Sequence, residues 1–255
     1  MDTIIRNTFG LLIIIFLIFA SVVSYNGFVE KAYRDSLSST YTYSCTITTG
    51  STLSNVTFFI PVPADPFGNS PVVARFSDKD ITGLPGDWTV TLYDTGKATL
   101  VKITAPEIPP SGNTRQDMPF TVTLSSQIPA ENMIDTRDPV NNSAMFHPVQ
   151  GLRQVSCPTG SSPVQGTPQC YQYQTSLYAD FEALPDASVN ITSVLTGNNR
   201  WKIFDNGFSE YRTRVTVVMT GANHGWSVME GELERSLGIN HLPAIPEKSI
   251  EWQNR

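Results

Sequence analysis

The sequence predicts a mainly β protein: an antiparallel β-sandwich of about ten or eleven strands, preceded by one N-terminal transmembrane helix. Three observations predict it. The interval from Asn7 to Val29 carries no charge, and its centre, Phe9 to Val23, is almost wholly apolar. From about Ser39 onward the apolar residues recur at every second position, as on a half-buried strand. The segments between these runs are rich in Gly, Pro, Asn, Ser and Thr, the residues that turns require.

The apolar run fixes the first element. In water it would need cover; in a bilayer a helix satisfies its own backbone polar groups. A span needs ~20 residues and a signal-peptide core about 7–15. Ile4 and Ile5 before the run, and Ser24 and Tyr25 after it, bring it to spanning length. Val22 and Ser24 make a poor cleavage pair, so a retained signal-anchor is expected, with a cleaved signal as the alternative. Arg6, opposed by Asp2, gives a thin orientation signal. The short head and large following domain favour the C-terminal domain outside, at the cell membrane. Phe28, Val29, Ala32, Tyr33 and Leu37 continue on one helical face, extending the helix to about Ser39. The expected division is therefore 1–38 for anchor and juxtamembrane helix, 39–238 for the β-sandwich ectodomain, and 239–255 for an extended tail.

Charge narrows the partners. The net charge is −6 and the isoelectric point about 5.0. Phosphate contacts need clustered Lys and Arg, so no nucleic acid is expected. The expected partners are the membrane, through the N-terminal helix, and an envelope protein, a glycan or further copies of the chain.

The strands follow in order. Tyr41, Tyr43, Cys45 and Ile47 alternate with Thr and Ser, which places Cys45 on an apolar face. Val56, Phe58 and Ile60 mark a second strand that Pro61 and Pro63 end. Pro71 to Phe76 reads as a short third. Trp88 to Leu92 and Thr99 to Ile103 form a hairpin around Asp94-Thr95-Gly96-Lys97. Phe120, Val122 and Leu124 mark the next strand. Strands resume at Tyr171 to Phe181 and Val189 to Ile191. A hairpin around Asp205-Asn206-Gly207 joins Trp201–Phe204 to Phe208–Met219. A last strand runs from Trp226 to about Glu234.

Between Gln127 and Gln169 no period is sustained, which predicts a long irregular insertion at 127–169. Deleting Asp135 to His147 from it is expected to spare folding and alter binding. Cys157 and Cys170 bracket a turn-rich loop, and a disulfide there would restrict the unfolded chain. Cys45 is then the odd cysteine, expected as a small buried hydrophobe.

The search for chemistry yields little. Asp78-Lys79-Asp80 starts like a calcium loop, but Thr89 stands where the closing Glu belongs, so Asp78 and Asp80 are only weak metal candidates. Glu230, Glu232 and Glu234 stripe one strand, as edge-protecting charges do. His147, His224 and His241 have no zinc-site spacing. Ser227 lacks the strand–turn–helix context of a nucleophile elbow. The acid pairs Asp135/Asp138 and Asp180/Glu182 define no glycosidase without a measured separation. No catalytic residue and no cofactor is assigned. Asn55, Asn141 and Asn190 lie in glycosylation sequons. Trp201, Phe204, Phe208 and Tyr211 gather around one hairpin, as core or as a binding patch.

A hydrophobic N-terminal helix below a β head resembles the layout of type IV pilins and their archaeal relatives. The likeness covers the first ~40 residues and implies a filament subunit. It departs from those families in having Arg6-Asn7-Thr8 before Phe9, with no small residue there, and in lacking the Glu early in the mature helix. The leading expectation is a single-pass, membrane-anchored surface protein in a binding, adhesive or envelope-assembly role. The alternatives are the filament subunit and a surface hydrolase.

Overall fold

A computed structural model of the chain describes residues 2–78, 80–96, 98–109, 120–157 and 169–237. The expected C-terminal tail lies outside them. Helix α1 (Asp2–Ser36) leads into β1 (Ser38–Thr49), β2 (Leu53–Pro61), β3 (Pro63–Ala64), α2 (Val73–Ser77), β4 (Thr89–Asp94), β5 (Thr99–Ile108) and β6 (Phe120–Pro129). There follow α3 (Pro139–Asn142), β7 (Met145–Phe146), β8 (Gln150–Val155), β9 (Gln169–Glu182), β10 (Ser188–Lys202), β11 (Asn206–Thr220) and β12 (Asn223–Leu237).

The strands form a curled antiparallel sheet in the order β4-β5-β2-β9-β12-β11-β10-β1-β6, with β8 also on β9 and β3-β7 as a separate ribbon. β1 lies on β10 and β2 on β9, so early and late strands are interleaved. The fold-over lies between β11 and β12. These pair from Glu210 to Thr216, against Glu230 to Leu237. Toward their connection they part: Val217–Thr220 pair with β10, while Asn223–Met229 pair with β9. Strands that change partner in this way turn one sheet into two facing halves. At the opposite edge Thr82 bridges to Ser125 of β6. Gly83 follows at φ +86°, and a Cβ there would stand 2.0 Å from the Thr123 carbonyl oxygen, so only glycine permits this approach.

One apolar core fills the space between the halves, and this burial is the main stabilising term. Phe58, Leu177 and Phe181 enter from one half; Tyr43, Ile47, Ile191 and Val215 enter from the other. Each such side chain contributes about 1.5–3 kcal/mol. Phe58 and Phe181 meet edge-on at 5.8 Å. The buried tyrosines keep their hydroxyls bonded: Tyr173 with Thr213 Oγ1 at 2.7 Å, and Tyr211 donating to the Ala144 carbonyl at 3.0 Å. Cys45 is buried on β1, where burial pushes its thiol up to about 11. Cys157 and Cys170 form a disulfide.

Four local expectations change. β12 lies inside the sheet between β9 and β11, so Glu230, Glu232 and Glu234 protect no edge. Pro71–Phe76 is not a strand: α2 occupies Val73–Ser77. The Ser70 hydroxyl accepts from the Val72 amide, and Val72 and Phe76 are both buried, an i,i+4 spacing that a short apolar run cannot distinguish from alternation. In the β10–β11 hairpin Lys202 pairs with Asn206, so residues 203–205 make the turn and Asn206-Gly207 belong to β11. Gly207 is required for another reason: a Cβ would lie 2.2 Å from Trp201 Nε1, so its absence makes room for the indole. Finally, the stretch from 127 supplies core. Ile134, Ala144, Met145 and Phe146 are buried, and β7 pairs with β3. Deleting Asp135–His147 would remove the buried side chains of Ala144, Met145 and Phe146, so a loss of stability is now expected in place of the neutral excision that aperiodicity suggests.

Helix α1 is continuous through Asn26-Gly27 and is long and apolar enough from Asn7 to Ser36 to cross a membrane, with none of its apolar stretch buried. Only Leu37 separates it from β1. The junction is pinned. Ser36 Oγ accepts from the Lys202 amide at 2.9 Å and lies 2.6 Å from the Ala32 carbonyl, and Tyr33 packs edge-on against Trp201 at 5.5 Å.

Candidate functional site: an aromatic row on the outer sheet face

Alternation that buries one face of a strand exposes the other, and the outer face of β4-β5-β2-β9-β12 carries large aromatic residues. On β2, Val56, Phe58 and Ile60 point inward, which leaves Phe59 outward. Register then sets its neighbours: Lys102 of β5 on one side and Tyr178 of β9 on the other. Tyr178 in turn faces Trp226 of β12. Tyr93 completes the row from β4. Successive ring centroids are 5.3 Å (Tyr93–Phe59), 5.7 Å (Phe59–Tyr178) and 5.6 Å (Tyr178–Trp226), all edge-to-face. Lys102 Nζ sits 5.6 Å above the Phe59 ring, a cation–π contact. Trp226 is 64% exposed, and Val228 beside it is exposed as well. Tyr93 is exposed too, while Phe59 and Tyr178 between the two ends are half-buried; an outward apolar row of this kind is a candidate binding surface.

Polar groups flank the row on both sides. One pair along, Asp180 faces His224, with Oδ1 to Nδ1 at 2.7 Å, and Glu182 lies 3.7 Å from Nε2. The Asp180 hydrogen bond, with the Glu182 charge behind it, holds the His224 imidazole above its ordinary value near 6.5. On the other side Gln174 Nε2 donates to Glu230 Oε1 at 3.0 Å. The site thus joins stacking surface to carboxylate, imidazole and amide groups.

The residues singled out in the sequence fare differently. Asp180 and Glu182 are brought together, with His224, beside the row. Asp135 and Asp138 are not: Asp135 Oδ1 accepts from the Arg137 and Asp138 amides and Oδ2 from Asn142, while Asp138 accepts from Asn141, so both organise the α3 region. Asp78 closes α2 and Asp80 pairs with Arg75. Among the described residues, no group of three or more His, Cys, Asp or Glu could hold a metal ion. His147 is partly buried, which lowers its titration. His241 lies outside the described residues. Asn55, Asn141 and Asn190 are exposed. Asn55 also has φ 54° where the β2 register shifts, a conformation asparagine tolerates, so its presence has a backbone reason independent of glycosylation. The hairpin aromatics divide: Trp201 and Tyr211 are buried, while Phe204 is exposed.

Sequence reasoning missed the row. Phe59 and Tyr178 stand at the outward positions of strands whose inward residues carry the alternation signal. Only cross-strand register unites them with Tyr93 and Trp226. The available signal was the presence of Phe, Tyr and Trp at positions that alternation assigns to solvent. No protein-family model, curated protein or solved structure matches this chain.

Proposed function

We propose that this protein is a membrane-tethered β domain, displayed outside the cell, that binds a glycan on its outer aromatic row. The observation that carries the binding role is the outward line Tyr93–Phe59–Tyr178–Trp226, exposed at its two ends and half-buried at Phe59 and Tyr178. Sugar rings offer apolar C–H faces edged by hydroxyls. Aromatic rings would cover the faces, and the remaining hydrogen-bonding capacity of the nearby Asp180, Glu182, Gln174 and Glu230 side chains would serve the hydroxyls. The tether is supported by the uncovered apolar stretch of α1. Two assays test the reading. Alkaline extraction and protection from external protease should find the chain membrane-integral with its β domain accessible from outside. Purified full-length chain in nanodiscs should be retained by a polysaccharide from a panel spanning neutral and acidic glycans. A chain released by alkali, or one retained by none of the panel, would end the proposal.

One observation favours a second reading, a pilin-like filament subunit: α1 continues through Gly27 without a break and runs directly into the β head. Sequencing the N-terminus of the native protein tests it. A start near Phe9 supports a filament subunit, and an intact N-terminus removes it.

A further inference from the structure

We propose that the tip of the β10–β11 hairpin is a second membrane contact, with Phe204 in the bilayer interface beside α1 and Arg200 and Lys202 facing lipid phosphates. The inference rests on the tethering reading above and adds an orientation for the whole domain.

The charge-free interval Asn7–Val29 is about 34 Å of helix, against a hydrocarbon core of ~30 Å. Tyr25 and Phe28 therefore stand at its outer end, where aromatic residues favour the headgroup level. Both are exposed. The ring that meets them comes from the other end of the chain: Phe204 lies 6.3 Å from Tyr25, stacked, and 6.1 Å from Phe28. Phe204 is nonetheless 60% exposed. If α1 spans, Phe204 is at the membrane surface by geometry, because its partners are.

The surroundings fit that level. The Ser36–Lys202 and Tyr33–Trp201 contacts hold the hairpin against the helix. Arg200 and Lys202 are exposed and line an open cleft of about 480 Å³ with Ser36, Asn198, Asn206 and Glu210, whose carboxylate is engaged by Asn198 and Arg212. Their charge suits anionic headgroups, although the chain as a whole is acidic. Asp205, exposed at the tip, keeps the contact at interface depth. The consequence reaches the aromatic row. Trp226 stands ~35 Å along β12 from Leu237, and β12 meets β11 near the hairpin at that Leu237 end. The bilayer contact thus orients the row away from the end at which the helix enters.

Site-directed fluorescence in vesicles tests this. Full-length chain carrying a nitrobenzoxadiazole label at Asp205→Cys would be reconstituted into phosphatidylcholine/phosphatidylglycerol vesicles containing headgroup- or acyl-spin-labelled lipid. Labels at Phe16→Cys and Ser188→Cys report the helix and the far end of β10. The expected result is strong quenching at 205 by shallow spin labels, deep quenching at 16 and none at 188. Adding Phe204→Ser should reduce the quenching at 205, and pure phosphatidylcholine should weaken it. Deep quenching at 16 with 205 as unquenched as 188 would overturn the hairpin contact and leave the tether standing. No quenching at 16 would remove the tether and the proposal together.

Discussion

The curled sheet has two outer faces, and they differ in what they present. Across β6, β1, β10 and β11 one row reads Thr123, Thr46, Thr192, Thr216. Its hydroxyls pair with one another, Thr46 with Thr123 at 3.0 Å and Thr192 with Thr216 at 3.2 Å. Across β4, β2, β9 and β12 the matching row is Tyr93, Phe59, Tyr178, Trp226. Both rows lie over the same core and obey the same alternation. Folding demands only that outward residues suit a pleated strand, and Thr does so while meeting its own polar needs. The aromatic row leaves apolar surface in water, which folding does not require. The contrast is the reason the proposed binding site is assigned to one face.

The largest expected effect lies beneath both faces. Phe146→Ala removes a fully buried ring and should cost about 3–5 kcal/mol in denaturant unfolding. A loss below ~1 kcal/mol would show that the aperiodic stretch is not part of the shared core. On the aromatic face, Trp226→Ala should weaken glycan retention at least ~10-fold, while costing only about 0.5–1.5 kcal/mol of stability for the lost ring pair. On the threonine face, Thr46→Val should stay within ~0.5 kcal/mol in stability and leave glycan retention unchanged. Equal binding losses on both faces would erase the distinction.

The smallest effect concerns pH. His224 titrates above its ordinary 6.5 because Asp180 and Glu182 favour its charged form. The folded value is raised, so the stabilisation is complete below the unfolded value and is lost as pH rises through the folded one. The group is solvent-exposed, so screening keeps the gain small. A proton-resonance titration of His224 should give a value above 6.5, and Asp180→Asn should lower it toward 6.5.

How much of this was legible in the sequence follows from range. Period-two alternation is local, so Tyr43, Cys45, Ile47, Phe58, Tyr173 and Phe181 could be assigned to inward faces directly. The Cys157–Cys170 bridge was readable because the two cysteines are close in the chain. Val72 and Phe76 misled, since five residues fit a strand as well as a helical turn. Asn206-Gly207 looked like a turn because that pair favours positive φ; the glycine is there instead for the Trp201 indole, a contact no local pattern encodes. Phe146 belongs to the core through β7 and β3, which are too short to leave a period. The aromatic row depends on the register of β4, β5, β2, β9 and β12, brought together from positions 93, 59, 178 and 226, and no window of sequence contains it.

The most direct test of the account compares the two faces in one experiment. Full-length wild type, Trp226→Ala and Thr46→Val, each in nanodiscs, would be passed over the polysaccharide that retains the wild type best. The account predicts that wild type and Thr46→Val are retained alike and that Trp226→Ala flows through with its fold intact by circular dichroism. Retention of Trp226→Ala at the wild-type level would contradict it.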